Sequence, residues 1–259
     1  MAGNKRTTGL VLQVRDRRLL AELATMRIID RELAKVAVGF RSTTRANARL
    51  LKLTRARLLN RFFVGSIAAG RKAIYTLSKR GGVVAGTEYR PISRSHGKTL
   101  VGDLYVDHQM HINEVYCTTK FRPLPIGTRF VGWRVFHEPL SQHSRVVPDG
   151  YFELQSPAGT PPMFLEVDLG HQSMRVWEQK IRQYLQLAIS GDFTRLFKKP
   201  QFRVLVITTS PRRLAKIRSL IAKHTDKVFW LSDFQTISRA GFWSACWLRP
   251  PGDQALPLI

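Results

Sequence analysis

The spacing of apolar residues changes character along this chain. From Asp16 onward, Leu19, Leu20 and Leu23 fall on one helical stripe. Asp30 then stands where a helix N-cap is wanted, with Leu33, Ala34 and Ala37 on a second stripe that Gly39 ends. Ser42, Thr43 and Thr44 offer cap hydroxyls for a third helix over residues 42–60, whose Leu50, Leu53 and Leu58 supply core contacts. After it the period shortens. Residues 61–64 and 71–77 predict two short strands around a glycine turn from Gly65 to Gly70, and Ser78 to Gly82 closes the unit.

The back of the chain alternates strand-like and helix-like runs. A stretch rich in Gly, Ser, Arg and Pro over residues 84–103 predicts a linker, and a helix follows over 102–119. Strands are expected at 129–137, 145–154 and 163–169, then a helix at 172–189, a buried strand at 203–208, a helix at 212–224 and a strand at 228–231. That order predicts a mixed α/β sheet with helices on both faces. Three helices and a strand–turn–strand wing in front resemble a winged helix. The expected organisation is a winged-helix domain over 1–85, a linker over 86–103 and an α/β domain over 104–259.

Charge separates the two parts further. The chain holds 42 Lys+Arg against 18 Asp+Glu, with 20 basic and 5 acidic side chains in residues 1–90 and 22 and 13 in residues 91–259. Such an excess attracts polyanions, and DNA is the expected partner. Between Arg41 and Arg61 there are seven basic residues and no acidic one, and Arg41, Arg45, Arg49 and Lys52 share a helical face, with Arg55 following. A solvated helix ordinarily mixes signs, so this face predicts DNA contact in a major groove, with Arg71 and Lys72 on backbone phosphates. Cys117 and Cys246 form no CxxC pair, which removes a disulfide framework or zinc site. No long apolar run occurs, so a soluble, cytoplasmic protein without membrane insertion is expected. Gly97-Lys98-Thr99 imitates the end of a phosphate-binding loop, but Ile92 stands where that loop needs glycine.

Chemistry concentrates in the predicted strands. Pro148-Asp149 and, seventeen positions on, Glu166-Val167-Asp168 put three carboxylates at the ends of adjacent strands. Like charges brought that close need a proton or a cation, and a hard ion such as Mg²⁺ or Mn²⁺ suits oxygen donors and phosphodiester cleavage. In the helix over 172–189, Trp177, Ile181, Tyr184 and Ala188 form the apolar stripe, and Lys180 flanks it, about 60° round from Trp177. A lysine drawn towards such a sheet has carboxylate partners at hand.

Asp149, then Glu166-x-Asp168, then a helix bearing Lys180 resembles the PD-(D/E)XK nuclease motif, with Asp168 where that motif carries its lysine. The winged-helix front together with VPDGYFEL, FLEVDLG and WEQKIRQYL is similar to the replication-relaxation family of plasmids, which includes the MOB-C class of mobilisation relaxases. The resemblance implies a restriction-endonuclease-like sheet flanked by helices and a metal-dependent endonuclease that nicks one strand at a plasmid transfer origin. It further implies Asp149, Glu166 and Asp168 as metal ligands, Lys180 as the migrated lysine, and Glu114 as the acid of the preceding helix. A coupling protein or a relaxosome accessory protein is the implied protein partner. No His-x-His occurs among the seven histidines, so the histidine metal site of other relaxases is missing; Tyr151 and Tyr184 are the nearest candidates for a covalent link to DNA. The alternative is a non-catalytic winged-helix protein of plasmid replication or transcription control.

Overall fold

The computed structural model describes residues 10–65, 71–89 and 103–259 and divides into two compact units, 1–117 and 118–259. The first begins with α1 (Val14–Met26), β1 (Ile28–Ile29), α2 (Arg31–Val38) and α3 (Thr43–Arg55). A hairpin of β2 (Leu59–Val64) and β3 (Lys72–Leu77), the short α4 (Lys79–Ala85) and the long α5 (Asp103–Phe121) complete it. The caps anticipated from sequence are present: Asp30 accepts from the Leu33 amide at 2.8 Å, and Ser42 from the Arg45 amide at 3.2 Å. The third helix is shorter than expected. It ends at Arg55 because Arg57 turns to a left-handed φ of 58°, and the chain enters β2 two residues later. β1, β3 and β2 form a three-stranded antiparallel sheet in that order. Leu19, Leu20 and Leu23 of α1 and Leu50 and Leu53 of α3 are fully buried.

The division into units falls within α5, beyond the linker expected at 86–103. Most of that linker, the tip of the hairpin and Gly97-Lys98-Thr99 lie outside the described residues. α5 belongs to the first unit over most of its length because buried Asn113 donates to the carbonyls of Met26 (3.0 Å) and Ile28 (2.7 Å), where α1 gives way to β1. Tyr116 adds a 2.6 Å hydrogen bond to Glu22.

The second unit is built on a seven-stranded mixed sheet. β4 (Arg129–Arg134), β5 (Gly150–Gln155) and β6 (Pro162–Asp168) run as an antiparallel meander. After α6 (Met174–Ile189) and α7 (Asp192–Phe197), β7 (Arg203–Thr208) lies parallel to β6. After α8 (Pro211–Ala222), β8 (Phe229–Asp233) lies parallel to β7. The helix α9 (Phe234–Ala240) leads to the short β9 (Trp247–Leu248) and β10 (Ala255–Leu256), which extend the sheet beyond β8. Strand β5 starts later than predicted, because residues 146–149 approach the sheet without joining a ladder. Only Asp149 bonds there, its amide to the Leu165 carbonyl at 3.1 Å.

Trp177, Ile181 and Tyr184 of α6, Phe193 of α7 and Ile217 and Ile221 of α8 share a core with Phe164, Val204 and Val206 on one face of the sheet. The order β6–β7–β8 explains this. Both crossovers step in the same direction across the sheet, and connections of one hand then place both helices on one face. Strand β6 is buried along its whole length, and its even-numbered residues point towards α6.

Candidate functional site

Period-two alternation decides which carboxylates meet. On β6, Glu166 and Asp168 share the face of Phe164, so both point under α6 and are withdrawn from solvent. Asp149 reaches the same place from the segment before β5. Its Oδ2 accepts from the Val167 amide at 2.7 Å, which pins its half-buried carboxylate beside the end of β6. The next residue must be small: a Cβ on Gly150 would sit 2.5 Å from the indole ring of Trp133. That indole also stacks on Phe152, ring centroids 5.6 Å apart.

Each buried carboxylate of β6 has its own cation. Lys180 Nζ donates to Glu166 Oε2 at 2.5 Å, and the Tyr184 hydroxyl donates to Oε1 at 2.6 Å. Arg213 Nε donates to Asp168 Oδ2 at 2.6 Å, and Trp177 Nε1 donates to the same oxygen at 3.1 Å. The Gly170 amide takes Asp168 Oδ1 at 2.7 Å. In both pairs the carboxylate is enclosed and the cation keeps a partial opening to solvent, 18% of the side chain for Lys180 and 16% for Arg213.

Burial pushes the Glu166 carboxyl up; Lys180 draws it back, and Asp149 adds to the rise. Burial would lower the Lys180 ammonium, but the charges of Glu166 and Asp149 outweigh it and hold the group above its ordinary value. The two rises have different causes: desolvation dominates for Glu166, whereas for Lys180 the nearby carboxylates outweigh desolvation and hold its proton tightly.

Among the described residues no group of three or more His, Cys, Asp or Glu side chains is arranged to hold a metal. Of the three carboxylates expected from sequence, Asp168 is the most heavily engaged: Oδ2 takes Arg213 and Trp177 and Oδ1 takes the Gly170 amide. Asp149 and Glu166, with one donor on each engaged oxygen, are oxygen donors of the kind that suits a hard divalent cation completed by water or phosphate oxygens. Glu114 lies exposed on α5, within the first unit.

The two tyrosines considered as nucleophiles are poorly placed for attack. Tyr184 is fully buried, and burial together with Glu166 keeps its hydroxyl well above the usual phenol range. Tyr151 is buried among Phe136, Phe164 and Phe197, and burial and its hydrogen bond to Glu153 likewise raise it. Arg213 escaped the sequence reading. A signal existed, since basic residues in the first turn of a helix oppose its dipole, and Arg212 and Arg213 stand in that turn of α8.

In the first unit, Arg41, Arg45, Lys52 and Arg55 are exposed on and beside α3. Arg49 is not part of that open set. Its Nε donates to buried Asp16 at 2.7 Å and its second nitrogen to the Val11 carbonyl at 2.9 Å, tying α3 to the start of α1. Arg71 is exposed, and Lys72, though 57% exposed, pairs at 2.5 Å with Asp30.

The replication-relaxation family model matches residues 15–199, which take in α1 to α7 and the carboxylates of β6. The chain belongs to the replication-relaxation family. This gives it a role in plasmid replication or relaxation and makes DNA the macromolecule it works with. No curated protein and no solved structure matches it. No helix among the described residues is long and apolar enough to cross a membrane.

Proposed function

We propose that this family member is a plasmid mobilisation relaxase of the MOB-C class, a metal-dependent endonuclease that nicks one DNA strand at a transfer origin. In this reading the first unit is a winged helix and the second a PD-(D/E)XK-like nuclease. The observation that carries it is the meeting of Asp149, Glu166 and Lys180 at the end of β6: a half-buried carboxylate, a buried one and an ammonium partly open to solvent.

Asp149 and Glu166 would hold Mg²⁺ or Mn²⁺, which when bound supplies an activated water and neutralises phosphate charge. The protein's own groups do the rest. Lys180 keeps its proton under the influence of two carboxylates, so it is a donor to a phosphate oxygen and not a general base. Tyr184 fixes the other Glu166 oxygen, leaving each oxygen with one further lone pair. With Tyr151 and Tyr184 buried and neutral, water is the nucleophile this reading favours. In the first unit, the chain order helix, strand, two helices, hairpin supports α3 as the groove helix, with Arg45, Lys52 and Arg55 towards DNA and Arg71 on the backbone. One such centre per chain favours a nick over a double-strand cut.

The deciding experiment is incubation of supercoiled plasmid bearing the cognate transfer origin with Mg²⁺, with Mn²⁺ and with EDTA, using the wild type and Asp149→Ala. Open circles that need metal and vanish in the variant are expected. Equal nicking in EDTA would end the metal mechanism. A second reading, a non-catalytic regulator, draws on one observation: both Glu166 oxygens are already engaged by Lys180 and Tyr184. Specific binding with no nicking under any metal would select it.

A further inference from the structure

Asp168 occupies the place where a nuclease of the proposed type carries its lysine, yet it is not idle there. It accepts from Arg213 and from the indole of Trp177 on the same oxygen. Arg213 also bonds the Gln172 carbonyl with its terminal nitrogen, just before α6 begins. One guanidinium therefore joins the end of β6 to the lead-in of α6. Trp177 is fully buried, and its ring lies 5.4 Å from the Lys180 ammonium. An indole whose N–H is given to a carboxylate becomes more electron-rich on its face, which strengthens its hold on a cation. The contacts then run without a gap from Arg213 through Asp168 and Trp177 to Lys180 and Glu166. Arg213 lies beyond residue 199, where the family match stops.

We infer that Arg213 and Asp168 are positioning residues that fix Lys180 over Glu166 through the Trp177 indole, and that Asp168 is not a metal ligand. This rests on the nuclease reading for its kinetic consequence but not for its structural one. A fixed side chain is needed because a displacement of about 1 Å in a reacting constellation costs on the order of 10²-fold in rate.

The test uses the full chain with ¹³C-labelled lysine. In the wild type the Lys180 methylene protons should be shifted upfield by the Trp177 ring current, the signal being assigned by its loss in Lys180→Met. Arg213→Met and Asp168→Asn should each return that signal to the position of a free lysine, and kcat for nicking should fall on the order of 10²-fold with KM unchanged. Arg213→Lys should recover part of the shift, since one ammonium cannot hold Asp168 and the Gln172 carbonyl in the same planar arrangement. Should Arg213→Met fail to fold, Asp168→Asn with Arg213→Met leaves no charge unpaired and carries the same measurement. Mn²⁺ affinity, read by titration, should survive Asp168→Asn and be lost in Asp149→Asn.

A Lys180 signal that keeps its wild-type upfield position in these variants, alongside a lower melting temperature, would overturn the inference and leave the network purely structural. Loss of Mn²⁺ binding in Asp168→Asn would overturn its second half. A wild type that neither nicks nor binds Mn²⁺ would end the nuclease reading, while the lysine signal would still decide the positioning.

Discussion

The two units treat charge in opposite ways. Around α3, cations stand in solvent, carry one sign and have few acids near them; Arg45, Lys52 and Arg55 could change places with little consequence for the fold. At the end of β6 the Glu166 and Asp168 carboxylates are buried, and each lies within 3 Å of its own cation. Exposed charges act additively and are screened by salt, whereas desolvated ones act singly and are felt at full strength. Arg49 shows that the border between the two regimes does not follow the sequence. It lies on the basic helical face, yet Asp16 draws it into the interior manner of use.

Substitutions can sharpen this contrast. The largest effect is expected at Lys180. Lys180→Met should keep the stem packed beside Trp177 while reducing nicking about 10²–10³-fold, the usual cost of one charge-stabilising donor. A wild-type rate in that variant would make the lysine structural. Next, Arg49→Ala should lower unfolding free energy on the order of 2–3 kcal/mol by leaving the Asp16 carboxylate buried without its cation. Arg45→Ala should leave stability unchanged, and urea melts of the pair would collapse the contrast if they coincided. Gly150→Ala should cost about 1–3 kcal/mol through the clash with Trp133 and should also weaken metal binding by displacing Asp149, which calorimetry can follow. Each of Arg45→Ala, Lys52→Ala and Arg55→Ala should reduce the slope of log K against log salt by roughly 0.9 for DNA. An unaltered slope would take that side chain off the interface.

Alkaline pH makes a weaker probe. Tyr151 and Tyr184 are raised in the folded protein, so the folded state holds their protons longer than the unfolded chain does. Their contribution is complete below about pH 10 and declines above it as the unfolded phenols ionise. Tyrosinate absorbance should therefore appear for these two groups together with unfolding and not before it.

Much of this architecture was legible in residue order. The strand at 203–208 was found to the residue because a parallel strand covered on both sides is a continuous apolar run. The helix bearing Lys180 was legible because its stripe repeats over sixteen residues. The start of β5 was not. Val146 is buried like a strand residue, but in the core beside α6 and not in a ladder, and apolar alternation cannot distinguish these. Asp149, Glu166 and Lys180 could be named because their chemistry is unusual for their surroundings. The fate of Asp168 could not, since it depends on Arg213, 45 residues away and on the helix that follows the neighbouring strand.

That distance bears on how the molecule can be cut or exchanged. The segment matched by the family stops at residue 199, but β6 pairs along its whole length with β7, which begins at Arg203. A fragment ending at the match would expose one edge of its most buried strand and leave Asp168 without its guanidinium. Recombination between relatives at that boundary would carry over Asp149, Glu166 and Asp168 but lose β7 and Arg213, so the matched segment is shorter than the sheet its carboxylates are built into.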